Sequence, residues 1–525
     1  MKFLQSIQKF VGHPYFYLFG LVLLAISLPL SKFTTSVSQF LIAGTWLIKP
    51  GLYERFKSLK KSKALLVFLS FLFVSVAGLL YTSNYVYALN DLKTKLPLLL
   101  LPVVIASSEK IEPQRFKIIG IFYILALLVS SMVSAYLFFT KYPHEIFNLR
   151  EISIFVPYIS LSVQICIGIG LLAYFILFRS NQGISIKIAG YAISIWFTVF
   201  LFILQSFTGL IIVFTLAGLF FAKTIRLIPN YWLKTCLSIL FIGSFISFSL
   251  YTSLEIINNN KIKESSQIPN HVSTSKGNAY THFPENTQME NGYFVNRYIC
   301  EKELREAWNL RSNIKFDSSD QAGHRIKYTI IRYLTSLGLR KDAEGLNALS
   351  NEDIQMIEAG YANSIFKKKY SIYPKIYVAI KQIENLQTGG TGRGNSVTQR
   401  IVAYQIGLKI ISENLIFGVG TGDIETEFEK EYNKKYSSFV KYSDSVGVNQ
   451  FVCTTVSHGI IGLFILLLAM FYPIFICKKQ NEYFVWIWMV IFVLYMLSEE
   501  IFKFQTPTTL FAYFYSLFIF GVEKK

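Results

Sequence analysis

The sequence has few charged residues. Asp, Glu, Lys and Arg make up 16% of its 525 residues, whereas hydrophobic residues make up 52%. Soluble domains carry about 25% charged residues, so this composition excludes an ordinary soluble protein. Acidic residues are fewer than basic residues, 32 against 51, which gives a net charge of +19. Basic residues accumulate in the cytoplasmic loops of membrane proteins, so this excess does not indicate a nucleic-acid partner.

Cysteine is also scarce, with five residues and no CxxC pair. All but Cys300 fall in or beside apolar stretches, which excludes a disulfide framework and a structural zinc site. We expect no metal and no cofactor. The stretch Met1–Leu30 lacks a small-residue cleavage site and more apolar runs follow it, so we expect a retained first helix.

Long charge-free windows are frequent, and about 20 apolar residues suffice to cross a bilayer as a helix. The windows are 14–31, 33–48, 64–90, 96–108, 118–140, 152–178, 188–222, 235–254, 445–477, 483–498 and 504–522. Window 96–108 is short and contains Pro97 and Pro102, so a tilted helix and a partly re-entrant segment both remain open. Window 188–222 is too long for one span and has basic residues at both ends, which predicts two crossings that turn near Gln205–Gly209.

The distribution of basic residues predicts the orientation. With twelve spans and a cytoplasmic N-terminus, the inner loops hold twenty Lys and Arg residues and the short outer loops hold six. The remaining 25 lie in one long hydrophilic segment, which crosses regardless of its charge. We therefore predict an all-α, polytopic membrane protein with helices one to nine in 1–254, an outer, mainly helical domain in 255–444, and helices ten to twelve in 445–525.

The outer segment is too long to be a plain loop. Its first part, Asn258–Asn291, shows no periodicity and is expected to be irregular. Helical patterns follow at Tyr298–Leu310 and Arg325–Leu337, and Ser350 with Asp353 reads as a capping box that opens another helix.

A further helix is predicted over Ser396–Ser412, from apolar residues spaced three and four apart. Its expected stripe is Ile401, Tyr404, Leu408 and Ile411, and the stripe of the helix after Asp423 is Ile424, Phe428 and Tyr432.

Between these two helices lie Gly418, Gly420 and Gly422, three glycines in five residues. Such a turn invites interpretation as a phosphate-binding loop, but it lacks a GKS/T element and a preceding strand. A tight connection between two helices is the favoured interpretation.

Several stretches match a known pattern when they are taken together. They are EKELREAWN (301–309), TIIRYLTSLGLRKD (329–342), SNEDIQMIEAG (350–360), GNSVTQR (394–400), FGVGTGD (417–423), NQF (449–451), HGIIG (458–462) and EE (499–500). In this combination the chain resembles the O-antigen ligase and polymerase-like superfamily of bacterial envelope glycosyltransferases, in the large-loop version associated with Bacteroidetes.

The resemblance implies metal-independent transfer of a glycan from an undecaprenyl diphosphate carrier at the periplasmic face of the bacterial inner membrane. The acceptor would be lipid A-core in a ligase and another carrier-linked repeat unit in a polymerase. The implied partners are this donor, a lipid or glycan acceptor, and membrane lipids.

The resemblance also implies site residues. Arg400 matches the family's basic position and would bind the donor diphosphate through bidentate bonds, unless it is an ordinary solvated arginine. Arg393 is a second candidate for the diphosphate. Thr421 and Asp423 would orient a sugar hydroxyl or Arg400, and the alternative for both is helix capping. Asn449 matches the family's Asn at the outer end of helix ten, or simply begins that helix.

The chain departs from the family at several positions, among them the basic residues expected around Tyr158 and Ser160, which are absent. The family's histidine directly before the Asn is replaced by Val448, and its arginine near helix eight by Phe207. His458 is no substitute because ten residues along a helix is about 15 Å. A catalytically inactive relative that binds or scaffolds carrier-linked glycan therefore stays open. In an active enzyme, Asp444 is the nearest ionisable residue to act as base, against the alternative of a solvated loop carboxylate.

The predicted orientation can be tested by cysteine labelling. Ser265→Cys and Asn385→Cys should react with an impermeant thiol reagent in intact spheroplasts, because both lie in the outer segment. Ser58→Cys should not react, because it lies in an inner loop. Labelling at 58 without labelling at 265 would reverse the orientation.

Overall fold

The computed structural model describes residues 14–141, 149–177, 183–264, 273–368, 373–387, 396–435 and 448–523. Across these residues the chain is mostly helical, with two short strands that pair with each other. The predicted helical fold is therefore confirmed for the part of the chain that is described.

The helices of the N-terminal half are α1 (Pro14–Leu30), α2 (Lys32–Ile48), α3 (Leu52–Lys61), α4 (Lys63–Ala77), α5 (Tyr85–Ser107), α6 (Pro113–Lys141), α7 (Tyr158–Leu177), α8 (Ile184–Leu204), α9 (Phe207–Thr224) and α10 (Tyr231–Asn260). The strands are β1 (Met289–Glu290) and β2 (Tyr293–Phe294). After them come α11 (Glu301–Arg311), α12 (Ile326–Ser336), α13 (Ala343–Asn347), α14 (Asn351–Glu358), α15 (Tyr373–Gln387), α16 (Ser396–Glu413), α17 (Ile424–Lys435), α18 (Gln450–Ile476), α19 (Tyr483–Ser498) and α20 (Gln505–Ser516).

Six of the described helical stretches are long and apolar enough to cross a membrane. They are Lys63–Tyr81, Pro113–Lys141, Tyr158–Ile176, Ile184–Leu204, Phe207–Thr224 and Gln450–Ile476. Large apolar side chains such as Phe73 and Phe464 lie exposed on these helices, on a surface that suits lipid rather than water. The chain is thus a multi-pass membrane protein, and the twelve spans and their orientation stay predictions.

The long window 188–222 forms two helices, as predicted. Helix α8 ends at Leu204 and α9 begins at Phe207. Gln205 between them has a φ of 48°, the left-handed conformation of a helix end. The Ser206 hydroxyl accepts from the amide of Gly209 at 3.3 Å, which begins α9 with a capping bond.

The windows 64–90 and 96–108 are divided differently from the prediction. Helix α4 ends at Ala77, a 3₁₀ turn follows over Gly78–Tyr81, and α5 then runs for 23 residues with both prolines inside it. The short window is therefore part of a longer helix that includes polar residues. Lys95 and Asp91 pair within the helix at 2.6 Å, which neutralises two of the three charges between the windows, the third being Lys93.

The chain divides into two compact units. One contains the residues up to Phe220 and those from Gln382 onward, and the other is Phe221–Lys381. These limits differ from the predicted domain limits at 254 and 444. The predicted limits separate membrane-spanning helices from a domain outside the membrane, and that division remains a prediction.

The second unit has its own hydrophobic core. Trp308 on α11 is fully buried and its indole N–H donates to the carbonyl of Ile314 at 2.7 Å. Phe316, Tyr333 and Leu346 belong to the same buried cluster. Helices α11 and α12 begin one to three residues after their predicted starts, and the predicted capping box is confirmed, because Ser350 and Asp353 each accept the other's amide.

A β-hairpin corrects the prediction that Asn258–Asn291 is irregular throughout. Helix α10 extends to Asn260, and strand β1 begins at Met289. Asn291 and Gly292 form the turn with φ of 49° and 90°, the conformation that favours an Asn-Gly pair. The hairpin places Glu290 in the interior, where its carboxylate accepts from Arg332 at 2.8 Å.

The core of the second unit predicts the effect of truncating Trp308. Trp308→Ala in the full chain should cost about 3–5 kcal/mol of stability, because it leaves a cavity and frees a buried carbonyl. Protease susceptibility of the purified protein, followed as temperature rises, should increase at cleavage sites within 273–368. Leu310→Ala on the same helix is the control, because that side chain is 88% exposed. Equal susceptibility of the two variants would contradict this assignment of the core.

Candidate functional site

Helix α16 buries a different face from the predicted one. Val402, Ala403, Ile406 and Ile410 are buried, whereas Leu408 of the predicted stripe is 59% exposed. The stripe prediction was wrong for Leu408, whereas Tyr404 and Ile411 are partly buried against the same apolar cluster. Both sets of residues fit a helical spacing, and only the packing partner selects between them. The stripe of α17 is confirmed for Ile424 and Phe428, which are buried against α16 and α18.

The glycine-rich turn between α16 and α17 pairs with a break in α18. Gly459 has a φ of 64° and a ψ of −167°, which interrupts the helical hydrogen bonds around it. The amide of Val419 donates to the carbonyl of Val456 and that of Gly420 to Ser457, both at 2.9 Å. In return the amide of Ile460 donates to the carbonyl of Leu415 at 2.8 Å. The turn therefore supplies the partners that the broken helix lacks.

On its other side the turn contacts the junction of α4 and α5. The Thr421 hydroxyl donates to the carbonyl of Ser75 at 2.6 Å, and the Gly422 amide donates to the Thr82 hydroxyl at 2.8 Å. The Asp423 carboxylate accepts from the amides of Ser83 and Asn84 at 2.7 and 2.8 Å. These two amides precede α5, whose N-cap is Asn84, so Asp423 holds the backbone that leads into that helix and does not cap it. Its predicted contact with a sugar hydroxyl or with Arg400 stays a prediction.

The glycines are required by close backbone approach. Gly418 and Gly420 have φ of 70° and 99°, and a Cβ on Gly422 would lie 2.1 Å from the carbonyl oxygen of Asn84. The amides of Val419, Gly420 and Gly422 all donate to protein groups. The turn is therefore a connection between helices, as favoured, and not a phosphate-binding loop.

Asn449 begins α18. Its side-chain oxygen accepts from the amide of Val452 at 2.8 Å, which is an N-cap bond. Val448, in the position of the family's histidine, is buried in an apolar cluster with Val402, Ile406 and Phe428. The structure thus shows Asn449 as the residue that begins a helix, which was the alternative to its role in the site.

Arg400 is anchored to the segment that follows α19. Its guanidinium donates to the carbonyl of Ser498 at 3.2 Å and forms an ion pair with Glu499. The side chain stays 42% exposed, so Arg400 is neither fully solvated nor enclosed. Arg393 and Asp444, the other two predicted charged residues, lie outside the described residues.

A small polar cleft lies beside the turn, and the sequence analysis missed most of its lining. Its polar and ionisable side chains are Tyr87, Asp91, Lys95, Thr421, Gln450, Cys453, Thr454, Ser457, His458 and Glu500. Thr421 is the predicted site residue that lines it. The available signal in the sequence was Asp91 and Lys95, four residues apart between apolar stretches, together with the Glu499-Glu500 pair.

His458 is buried in the wall of this cleft. Its Nε2 lies 3.5 Å from the Ser75 hydroxyl, whereas its Nδ1 has no hydrogen-bond partner in the described part of the chain. In the described part of the chain, one ring nitrogen is therefore left for another group.

Glu500 lines the cleft from the segment that follows α19. Burial raises the pKa of its carboxyl, the Lys503 ammonium partly offsets that rise, and the Asp91 carboxylate adds to it. Lys503 also contacts Glu425 at 3.1 Å. Burial lowers the pKa of Lys503, but the carboxylates of Glu500 and Glu425 raise it above its usual value. The cleft therefore combines a carboxyl group of raised proton affinity with fixed ammonium groups.

No protein-family description matches the chain, and no curated protein matches it.

The close approach at Gly422 predicts a steric effect. Gly422→Ala should destabilise the protein by about 1–3 kcal/mol, because the new methyl group would overlap the carbonyl of Asn84. Thermal unfolding in detergent measures this change. Gly218→Ala in α9 is the control, because nothing lies within 4 Å of its added Cβ, and it should unfold like the wild type. Wild-type stability of Gly422→Ala would show that the turn can withdraw from α5.

Proposed function

We propose that the protein transfers a glycan from an undecaprenyl diphosphate-linked donor to a lipid or glycan acceptor. The proposal includes an O-antigen ligase-like or polymerase-like reaction at the periplasmic face of the bacterial inner membrane, with twelve spans, cytoplasmic termini and the 255–444 segment outside. It draws on the resemblance of the motifs and on the chemistry of the polar cleft.

The cleft is the observation that carries the proposal. Asp91, Lys95, His458 and Glu500 line one cavity in a bundle of apolar helices. Ionisable residues inside such a bundle are costly, so they mark a site of function rather than of stability. A donor with a lipid tail reaches such a cleft from the bilayer, while its diphosphate requires cationic groups.

Arg400 is the proposed contact for the diphosphate. Its bonds to Ser498 and Glu499 fix the guanidinium beside the segment that carries Glu500. A guanidinium has five N–H donors, so these two contacts leave donors for phosphate oxygens. Its partial exposure allows a ligand to reach them.

A second candidate is an inactive relative that binds or scaffolds carrier-linked glycan. Thr421, Asp423 and Asn449 all bond to protein groups, and Val448 is packed among apolar side chains. These contacts favour a structural role for most of the motif. The two candidates differ in one measurement, since only the enzyme releases undecaprenyl diphosphate from the donor.

The role of Arg400 predicts how its replacements behave. Arg400→Lys keeps the charge but loses the planar guanidinium that binds phosphate through two N–H groups. It should therefore lower glycan transfer nearly as much as Arg400→Ala, by about tenfold or more. Transfer is measured as released carrier diphosphate with purified protein and a carrier-linked donor. Arg226→Ala is the control, an exposed arginine distant in sequence from the motif. Wild-type transfer by Arg400→Ala at equal protein level would remove Arg400 from the site.

A further inference from the structure

We propose that Glu500 is the acid–base residue of the cleft and accepts the proton of the acceptor hydroxyl. This inference rests on the proposed function, because it names the group that performs one step of that reaction. No motif in the sequence marks Glu500 for this role, and the argument for it comes from position, neighbours and charge.

The backbone around Glu500 is fixed from both sides. The amide of Phe502 donates to the side-chain oxygen of Gln450 at 2.9 Å, and the Gln450 amide donates to the Glu499 carbonyl at 3.2 Å. Glu500 is thus held between two residues that are tied to the first turn of α18. A group that transfers a proton must be positioned within hydrogen-bond reach of its substrate, and a fixed backbone provides that positioning.

Asp91 is already engaged in an ion pair. It pairs with Lys95 at 2.6 Å, and both side chains are largely buried. For Glu500, burial raises the pKa of the carboxyl despite Lys503 nearby. A base works best when its pKa lies near the working pH, which favours the carboxyl of raised pKa.

The charged and titratable groups that face Glu500 come from several elements. They are Lys503 in its own segment, Asp91, Lys95 and the Tyr87 hydroxyl on α5, and the Cys453 thiol on α18, which hydrogen-bonds the carboxyl. The two ammonium groups favour the charged carboxylate, and Asp91 favours the protonated acid. Once the proton has moved to Glu500, these ammonium groups remain to stabilise the departing diphosphate.

The step balances without a further reactant. The acceptor oxygen forms a bond to the anomeric carbon of the donor sugar, and its proton passes to the Glu500 carboxylate. The bond between that carbon and the phosphate oxygen breaks, and the carrier diphosphate leaves with the electron pair. Glu500 returns its proton to solvent or to the leaving group before the next turnover.

The test compares Glu500→Gln, Glu500→Asp and His458→Asn with the wild type across pH. In the wild type, transfer should fall as pH decreases through the raised pKa, because the protonated acid cannot accept a proton. Glu500→Gln should lower turnover by about 10²–10⁴-fold with little change in the donor KM. Glu500→Asp should keep part of the turnover, and the low-pH side of its pH–rate profile should be displaced from that of the wild type. Glu482→Gln, at the other end of α19, should behave as wild type.

The outcomes separate the two proposals. A wild type that releases no carrier diphosphate overturns the glycan-transfer proposal and this one with it. A wild type that transfers while Glu500→Gln keeps its turnover and acidic limb overturns the role of Glu500 alone. Loss on His458→Asn without loss on Glu500→Gln assigns the proton to His458 and also overturns it. If Glu500→Gln unfolds in detergent, Glu500→Asp decides, and an unchanged pH profile in that variant contradicts the proposal.

Discussion

Backbone amides and carbonyls that leave a helix inside an apolar bundle must find other partners, and this constraint acts at the break in α18. Gly459 turns the backbone away from helical values, and the carbonyls of Val456 and Ser457 then accept from the glycine-rich turn. A side chain at Gly418 or Gly459 would overlap the opposing backbone, so the contact requires glycine on both sides. The site can form only because these two segments pair.

The pairing of the turn with α18 determines which segments form the walls of the cleft. The Asp423 side chain bonds the two amides that precede α5, and that helix presents Asp91 and Lys95 at positions set by helical spacing. On the other wall, the side chain of Gln450 holds the amide of Phe502, and Glu500 lies two residues before it. Charged groups from α5 and from the segment after α19 thus meet beside the turn without belonging to one stretch of sequence.

Features that depend only on residues close together in the chain could be predicted from the sequence. The two helices within 188–222, the capping box of Ser350 and the apolar face of α17 follow from local charge, spacing and hydrogen-bond geometry. The Asn291-Gly292 turn was also readable, since that pair is the common signal of a hairpin, and it was overlooked. The buried face of α16 was not readable, because two stripes fit its period. The bonds of Asp423 to the backbone before α5, some 340 residues away in the chain, lay beyond any local rule.

Residues of the matched stretches serve two purposes beside the cleft. Thr421, Asp423 and Asn449 bond backbone groups that an apolar bundle cannot leave unpaired. Such bonds tolerate few substitutions in residue type, because they depend on short polar side chains and on glycine beside them. Arg400 and Glu500 belong to the same stretches and carry charge near or in the cleft. A charge needs only to lie within reach of the cleft, and several positions can supply it, as Asp91 and Lys95 do from outside those stretches. A sequence pattern thus identifies the frame of the cleft more directly than its ionisable groups, which have to be read from what that frame encloses.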